Sequence, residues 1–170
     1  MNFEYKHLLP EEFGDNSKVW IYQSSRLFTI GEALHIEDIL NELVTNWKSH
    51  GAPVKAYANL FFGQFVILMA DEAATGVSGC SIDSSVRVIQ QIEKEFKVEM
   101  FNWQNLAFVV IDKVQIIPRR QFNYALENNF ITPDTLFFNN VVDTKKELED
   151  NWLIPIKNSW LKAKLKTVVS

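Results

Sequence analysis

The run FVILMA, residues 65–70, constrains the fold most, because six apolar residues in a row suit a strand that is buried on both faces. The segment KAYANLFF, residues 55–62, comes just before it, and Gly63 separates the two segments. This arrangement predicts a β-hairpin whose second strand lies in the middle of a sheet. Other elements of the chain must then cover both faces of that strand.

The first helix has a predicted start, face and end. Thr29 followed three residues later by Glu32 forms a capping box, in which each side chain bonds the backbone amide of the other residue. An apolar face recurs at helical spacing and comprises Ile36, Leu40, Leu43 and Trp47. We expect the helix to end at His50, Gly51 and Pro53, a cation, a glycine and a residue that cannot continue a helix.

Strands and helices follow one another along the rest of the chain. We predict strands in VWIYQSS, NLAFVVI and VQIIP, whereas TLFFNNVV suits a strand better than a helix. Helices are predicted over about 81–96, over 119–128, from Thr144 with Glu147 to about 151, and after Ser159. This order favours the α+β class, a mainly antiparallel sheet with helices packed on it. An α/β fold with a mixed sheet stays open, because strand–helix–strand units also suit right-handed crossovers.

We expect a single domain over residues 1–170, with an irregular lead-in over 1–18, since no repeat or linker divides the chain.

Composition limits the partners. Acidic and basic residues are interspersed and the net charge is −4, which argues against nucleic acid, since phosphate contacts need a clustered basic surface. No apolar stretch approaches the ~20 residues that span a bilayer, so we expect no membrane contact. One cysteine excludes an internal disulfide and fits a reducing cytoplasm. With 13 Phe, 5 Trp and 4 Tyr, aromatic surface is left over for a small-molecule or protein partner, including a homo-oligomer.

The stretch ATGVSGCSIDSSVR, residues 74–87, is the predicted site. It connects a strand to a helix, and Cys80 or Ser81 is expected as the N-cap of that helix. A helix N-terminus lowers a thiol pKa, so Cys80 is the candidate catalytic residue. The candidate ligand-binding residues around it are Gly79, Ser81, Asp83, Ser84 and Arg87. A purely structural Cys80 is the alternative, because free cysteine often behaves as a small buried hydrophobe.

Known catalytic patterns are incomplete in this chain. No glycine–lysine pair exists, so a P-loop is excluded, and six residues rather than five separate Cys80 from Arg87, unlike a cysteine phosphatase loop. The scattered His7, His35 and His50 lack the spacing of metal ligands, so we expect no metal and no cofactor.

Two further features have both a functional and a structural interpretation. Asp71 and Glu72 end the buried strand, near the predicted site, where solvated acids are also expected. The aromatic segments LFFNN, NW and SW of the C-terminal half can form a groove, although we expect Trp152 and Trp160 to be core anchors.

The segments HGAPVKA, QFVILMADE, SGCSIDSS and ITPDTLFFNN resemble a family of small bacterial proteins that often carry the label "ABC transporter ATPase". The likeness extends from about residue 19 to 162. It implies a shared fold and a shared GCSID element but no catalytic residue, because the chain has no P-loop and no ABC signature, only the Walker-B-like VILMADE.

Three functions follow from these observations. The first is a cytoplasmic binding or interaction domain without a complete catalytic constellation. The second is a thiol-dependent enzyme or redox sensor that uses Cys80 at a helix N-terminus. The third is small-anion binding at the backbone amides of residues 79–82, assisted by Ser81, Ser84 and Arg87.

Overall fold

The computed structural model describes residues 1–49, 51–71 and 79–168, and for residues 49, 79–82 and 166–168 it describes the backbone alone. The strands of this part are β1 Lys18–Gln23, β2 Lys48–Ser49, β3 Ala52–Pro53, β4 Ala56–Phe61, β5 Phe65–Ala70, β6 Asn105–Val110, β7 Lys113–Pro118, β8 Leu136–Phe138 and β9 Leu153–Pro155. Its helices are α1 Ile30–Asn46, α2 Gly79–Phe96, α3 Phe122–Glu127, α4 Lys145–Asn151 and α5 Lys162–Val168. Short 3-10 turns lie at Lys6–Leu8, Arg119–Gln121 and Ile156–Asn158.

The strands form two antiparallel sheets. Sheet 1 has the order β1–β5–β4 and sheet 2 the order β7–β6–β8–β9, while β2 and β3 make a separate small hairpin. Every strand pairing in the described part of the chain is antiparallel. The α+β prediction is therefore confirmed, and the mixed-sheet alternative is wrong.

Strand β5 occupies the centre of sheet 1, as its composition predicts. All six of its residues are buried. Its alternate side chains face two different cores: Phe65, Ile67 and Met69 face the core between the sheets, and Val66, Leu68 and Ala70 face the helices.

The two sheets pack face to face. Their shared core includes Ile67 from sheet 1 and Phe138 from sheet 2, with Trp152 fully buried between them. Phe65 stacks on Phe138 with ring centroids 4.4 Å apart. Helices α1 and α2 cover the outer face of sheet 1, and α3 with α5 covers the outer face of sheet 2. The layers are thus helix, sheet, sheet, helix, whereas the sequence predicts one sheet with helices.

The lead-in closes the inter-sheet core at one side. Tyr5, Leu9 and Phe13 are buried there. The Tyr5 hydroxyl donates a 2.6 Å hydrogen bond to the Leu148 carbonyl in α4. Lys145, also in α4, donates from its Nζ to the Phe13 carbonyl at 2.8 Å. A backbone carbonyl and a side chain of α4 therefore hold the lead-in against the core.

Helix α1 begins as predicted and ends early. Both halves of the Thr29–Glu32 capping box are present. The predicted end at Gly51 is wrong, because Trp47 already has an extended backbone and is buried. Gly51, at φ +82°, turns the β2–β3 hairpin instead, and His50 lies outside the described residues.

Candidate functional site

The predicted loop 74–87 is described only in part. Residues 72–78, including Glu72, lie outside the described residues. Helix α2 begins at Gly79, so Cys80 and Ser81 belong to its first turn, and the expectation that one of them is the N-cap is wrong. The side chains of residues 79–82 are outside the described part, so a role for the Cys80 thiol stays a prediction.

The remaining predicted residues of α2 are on its exposed face. Asp83, Ser84 and Arg87 are exposed, while Ser85 and Ile89 are buried. Ser84 lines a cavity of about 430 Å³ between α1 and α2, together with residues such as Trp47, Val88 and Gln91. Asp83 and Arg87 are not among the described residues that line that cavity, so the three predicted residues with described side chains do not converge on it.

Other residues considered from the sequence have structural partners. Asp71 lies 3.4 Å from the Lys55 ammonium, and His35 has its Nε2 3.4 Å from a Glu95 carboxylate oxygen. His7 is exposed in the first 3-10 turn. Among the described residues, no three His, Cys, Asp or Glu side chains come together as metal ligands.

A different site lies at one end of sheet 2. A cavity of about 270 Å³ opens where β6 begins and where β7 and β8 end. We name it the tryptophan groove. It is lined by Gln23, Met100, Asn102, Trp103, Asn105, Leu106, Arg119, Phe137, Phe138, Asn140, Val141 and Trp160.

A chain of amide hydrogen bonds forms one wall of the tryptophan groove. Gln23 donates from Nε2 to the Asn105 carbonyl at 3.0 Å and accepts at Oε1 from Asn140 Nδ2 at 2.9 Å. Asn140 Oδ1 accepts in turn from the indole N–H of Trp152 at 2.9 Å. Because Trp152 is fixed in the inter-sheet core, this chain holds the amide groups in place before any ligand arrives.

Arg119 and Trp160 form the opposite wall. The Arg119 guanidinium lies 5.2 Å from the centre of the Trp160 ring, in a cation–π contact. Trp160 meets Phe137 edge-on at 6.1 Å, which supports the ring from behind. No carboxylate of the described residues forms an ion pair with Arg119. Its charge is therefore left for a ligand.

The rim of the tryptophan groove is apolar and exposed. Trp103 is 59% exposed and Val141 67% exposed. Large exposed apolar residues that cluster around a cavity are typical of binding surfaces. Among the described residues that line the groove, Arg119 is the one charged group, so the local charge is positive although the whole chain is negative.

A second cavity adjoins the groove across Trp160 and Val141, which line both. Its volume is about 330 Å³, and Asn139 is one of its lining residues. Asn139 is buried, and its Oδ1 has no hydrogen-bond partner in the described part of the chain.

The sequence predicted only some of the residues that line this site. Of the predicted aromatic segments, LFFNN and SW contribute to the groove through Phe137, Phe138, Asn140 and Trp160. Trp152 is a core anchor, as expected, but the same expectation for Trp160 is wrong, since 39% of it is exposed. No local pattern indicates Gln23 or Arg119 as lining residues, because long-range folding alone brings them to the groove.

Comparisons with known proteins give no relative: no family model, curated protein or solved structure matches the chain. The resemblance to the small bacterial family therefore stays a prediction. Within the described residues, no helix has the length and apolar character needed to cross a membrane.

Proposed function

We propose that this protein is a binding domain that holds a small organic anion in the tryptophan groove. The observation that carries this proposal is Arg119, a cation fixed over Trp160 without an acidic partner among the described residues. A guanidinium matches the geometry of a carboxylate or phosphate and bonds it through two parallel N–H groups.

The rest of the lining suggests the kind of anion. A cavity of about 270 Å³ suits a small molecule rather than a folded partner. Trp103 offers an exposed ring to a flat apolar part of a ligand. Gln23 and Asn140 supply amide groups beside it. We therefore expect a carboxylate or phosphate ester that carries a planar ring.

The lining favours binding over catalysis. Among the described residues of the groove there is no carboxylate, imidazole, hydroxyl or thiol that would act as a nucleophile or as an acid–base group. This supports the first of the three functions expected from the sequence. The cytoplasmic location expected from the single cysteine remains part of the same proposal.

The two alternative functions at α2 rank below this proposal. A thiol-dependent activity of Cys80 and an anion site on the amides of residues 79–82 stay predictions, because the side chains of Cys80 and Ser81 lie outside the described part of the chain. The rate of Cys80 alkylation against pH tests the first, since an activated thiolate reacts with a midpoint well below the ordinary thiol value of about 8.5.

Thermal unfolding with a panel of ligands tests the groove. The panel pairs aromatic carboxylates and phosphate esters with their neutral amide counterparts. At ten times its Kd, a binding anion adds about 1.4 kcal/mol, which raises Tm by about 3–6 °C for a chain of this size. We expect the anion to stabilise and the neutral counterpart to have a much smaller effect.

Two matched variants show which site produces the anion-induced rise in Tm. Arg119→Gln should abolish the anion shift, while Arg87→Gln, an exposed arginine on α2 outside the groove, should retain it. A full shift in Arg119→Gln, or a shift lost in Arg87→Gln alone, would contradict the proposal, and the second result would favour the α2 site. A panel without any stabilising anion would also count against it.

A further inference from the structure

The outer edge of β7 is open in the described part of the chain. The Arg119 N–H donates to the Gln104 carbonyl on the β6 side at 2.7 Å, and β7 pairs with β6 alone. Because backbone groups alternate along a strand, Val114 and Ile116 then direct their N–H and C=O groups away from β6. The Gln115 side chain reaches the Ile116 carbonyl at 3.3 Å, a long contact that a better donor would displace.

The other sheet edges are partly occupied or short. The edge of β1 is bonded at one end, where the Val19 N–H donates to the Asp143 carbonyl at 2.9 Å. On β4, the Leu60 N–H is taken by the Asn59 side chain at 2.8 Å. Strand β9 has three residues and ends at Pro155. These features limit pairing along part of β1 and β4 and at the short β9, so β7 is the edge best suited to pair with another strand.

The turn before β7 carries an unusual residue. Ile111 and Asp112 connect β6 to β7 with φ of +50° and +57°. A β-branched residue is unfavourable in this left-handed region, where asparagine or glycine is preferred. Ile111 is also 88% exposed. A strained backbone position is retained most often at functional or contact sites, so Ile111 is a candidate contact residue.

An apolar groove lies beside the same edge. Its volume is about 320 Å³, and Ile117, Tyr124 and Phe130 are among its lining residues. Tyr124 is 63% exposed and Phe130 62% exposed, and their rings stack with centroids 6.5 Å apart. One strand thus carries a protruding apolar residue before it and an apolar groove beside its other end.

We propose that the open edge of β7 binds the β7 edge of a second copy of this chain, antiparallel and about a two-fold axis at Gln115. Val114 of each copy then lies opposite Ile116 of the other, and the outward N–H and C=O groups satisfy one another. Sheet 2 continues across the axis from one copy into the other. This proposal does not depend on the anion in the tryptophan groove.

The same two-fold symmetry places complementary groups of the two copies opposite each other at the ends of the strand. The antiparallel register brings Asp112 opposite Pro118 of the second copy, two residues from its Arg120, so an acid approaches a base at both ends. Ile111 approaches the end of the second copy's strand where the apolar groove begins. Lys113 and Pro118 bound the paired stretch and oppose a longer one, which fixes the register.

Sedimentation equilibrium of the full chain over a range of concentrations tests the dimer. We expect the average mass to rise with concentration from one chain towards two. Ile111→Asn should raise the dissociation constant at least about tenfold, since it removes an apolar contact at both ends of the paired stretch. This variant keeps the fold, because asparagine tolerates the left-handed turn better than isoleucine. Leu34→Asn, at a residue 60% exposed on α1, is the matched control and should leave the constant unchanged.

Hydrogen exchange gives an independent measure. The amides of Val114 and Ile116 should exchange more slowly at high concentration than at low, and Ile111→Asn should abolish that difference. A mass that stays at one chain at all concentrations would overturn the proposal. So would a dimer that Ile111→Asn and Leu34→Asn affect equally, or one in which the two amides exchange independently of concentration.

Discussion

Glu32, in the first turn of α1, joins three parts of the structure. Its carboxylate oxygens accept from both terminal nitrogens of Arg26 at 2.9 Å, and one accepts from the Thr29 N–H at 2.9 Å. Arg26 also donates to the Phe96 carbonyl at the end of α2, at 2.8 Å. Hydrogen bonds from Arg26, and then from Thr29, lower the pKa of Glu32 from 4.5 to about 2, because they favour its charged form.

This pKa predicts an acid-sensitive contribution to stability. The folded-state pKa lies below the unfolded one, so the contribution is complete above about pH 4.5 and is lost as the pH falls towards about 2. Urea unfolding of the native chain and of Glu32→Gln should differ by a constant amount near neutral pH and converge in acid. Glu37→Gln, exposed on the same helix, is the control. A gap as wide at pH 2.5 as at pH 7 would refute this assignment.

Local residue patterns predicted the capping role of Glu32 but not the exposure of Trp160. The capping box depends on residues three apart, so its geometry is contained in the sequence. Burial of Trp160 depends instead on how a turn near the C-terminus meets the end of sheet 2. No local pattern contains that information, so the predicted core position of Trp160 was wrong.

At the scale of elements, two glycines predict opposite responses to the same substitution. Gly63 turns the β4–β5 hairpin at φ +64°, and a Cβ there would lie 3.1 Å from Leu27 Cδ1. Gly31 lies in the first turn of α1, with no atom within 4 Å of an added Cβ. Alanine at Gly63 would be strained, whereas alanine at Gly31 would restrict the unfolded chain without strain.

We therefore expect Gly63→Ala to lower the free energy of unfolding by about 1–2 kcal/mol and Gly31→Ala to raise it by about 0.4–1 kcal/mol. Chemical denaturation of both variants against the native chain measures these changes. Equal effects of the same sign would show that the turn does not require glycine.

Element boundaries were predictable where the signal and the packing agree. The β4–β5 hairpin follows from Gly63 and two apolar runs, and the structure contains it. For α1, Gly51 and Pro53 resemble a helix end, yet they belong to the β2–β3 hairpin. Burial of Trp47 against Trp20, with rings 6.0 Å apart, ends the helix first. Tertiary packing thus overrides the stop signal.

At the scale of the whole molecule, the core between the sheets holds the layers together. Trp152 is in contact with aromatic rings from both sheets, among them Phe65 at 5.4 Å and Phe138 at 5.4 Å. Its removal would leave a large cavity in this shared core. A shared core predicts that both sheets unfold together.

Trp152→Ala should cost about 3–5 kcal/mol. Native-state hydrogen exchange should show β5 and β6 losing protection by the same amount, since one opening reaction exposes both. Trp103→Ala, at an exposed residue, is the control and should stay within about 0.5 kcal/mol of the native chain. Loss of protection in β6 with β5 unaffected would indicate two independent units.

The face-to-face arrangement of two sheets was not predictable from the sequence, although the α+β class was. Apolar runs such as NLAFVVI predict a buried strand whichever surface covers it. The tryptophan groove depends on this arrangement, because Gln23 comes from sheet 1 and Asn105 from sheet 2. The candidate site therefore emerges at the level of the whole molecule.

Indole N–H signals in a nitrogen–proton NMR spectrum locate a bound anion directly. Tryptophans 103 and 160 line the tryptophan groove, Trp47 lines the cavity between α1 and α2, and Trp20 packs on Trp47. On titration with the most stabilising anion, we predict that the signals of Trp103 and Trp160 move while those of Trp20 and Trp47 stay. If Trp47 moves instead, or if every signal stays in place, the anion does not occupy the tryptophan groove.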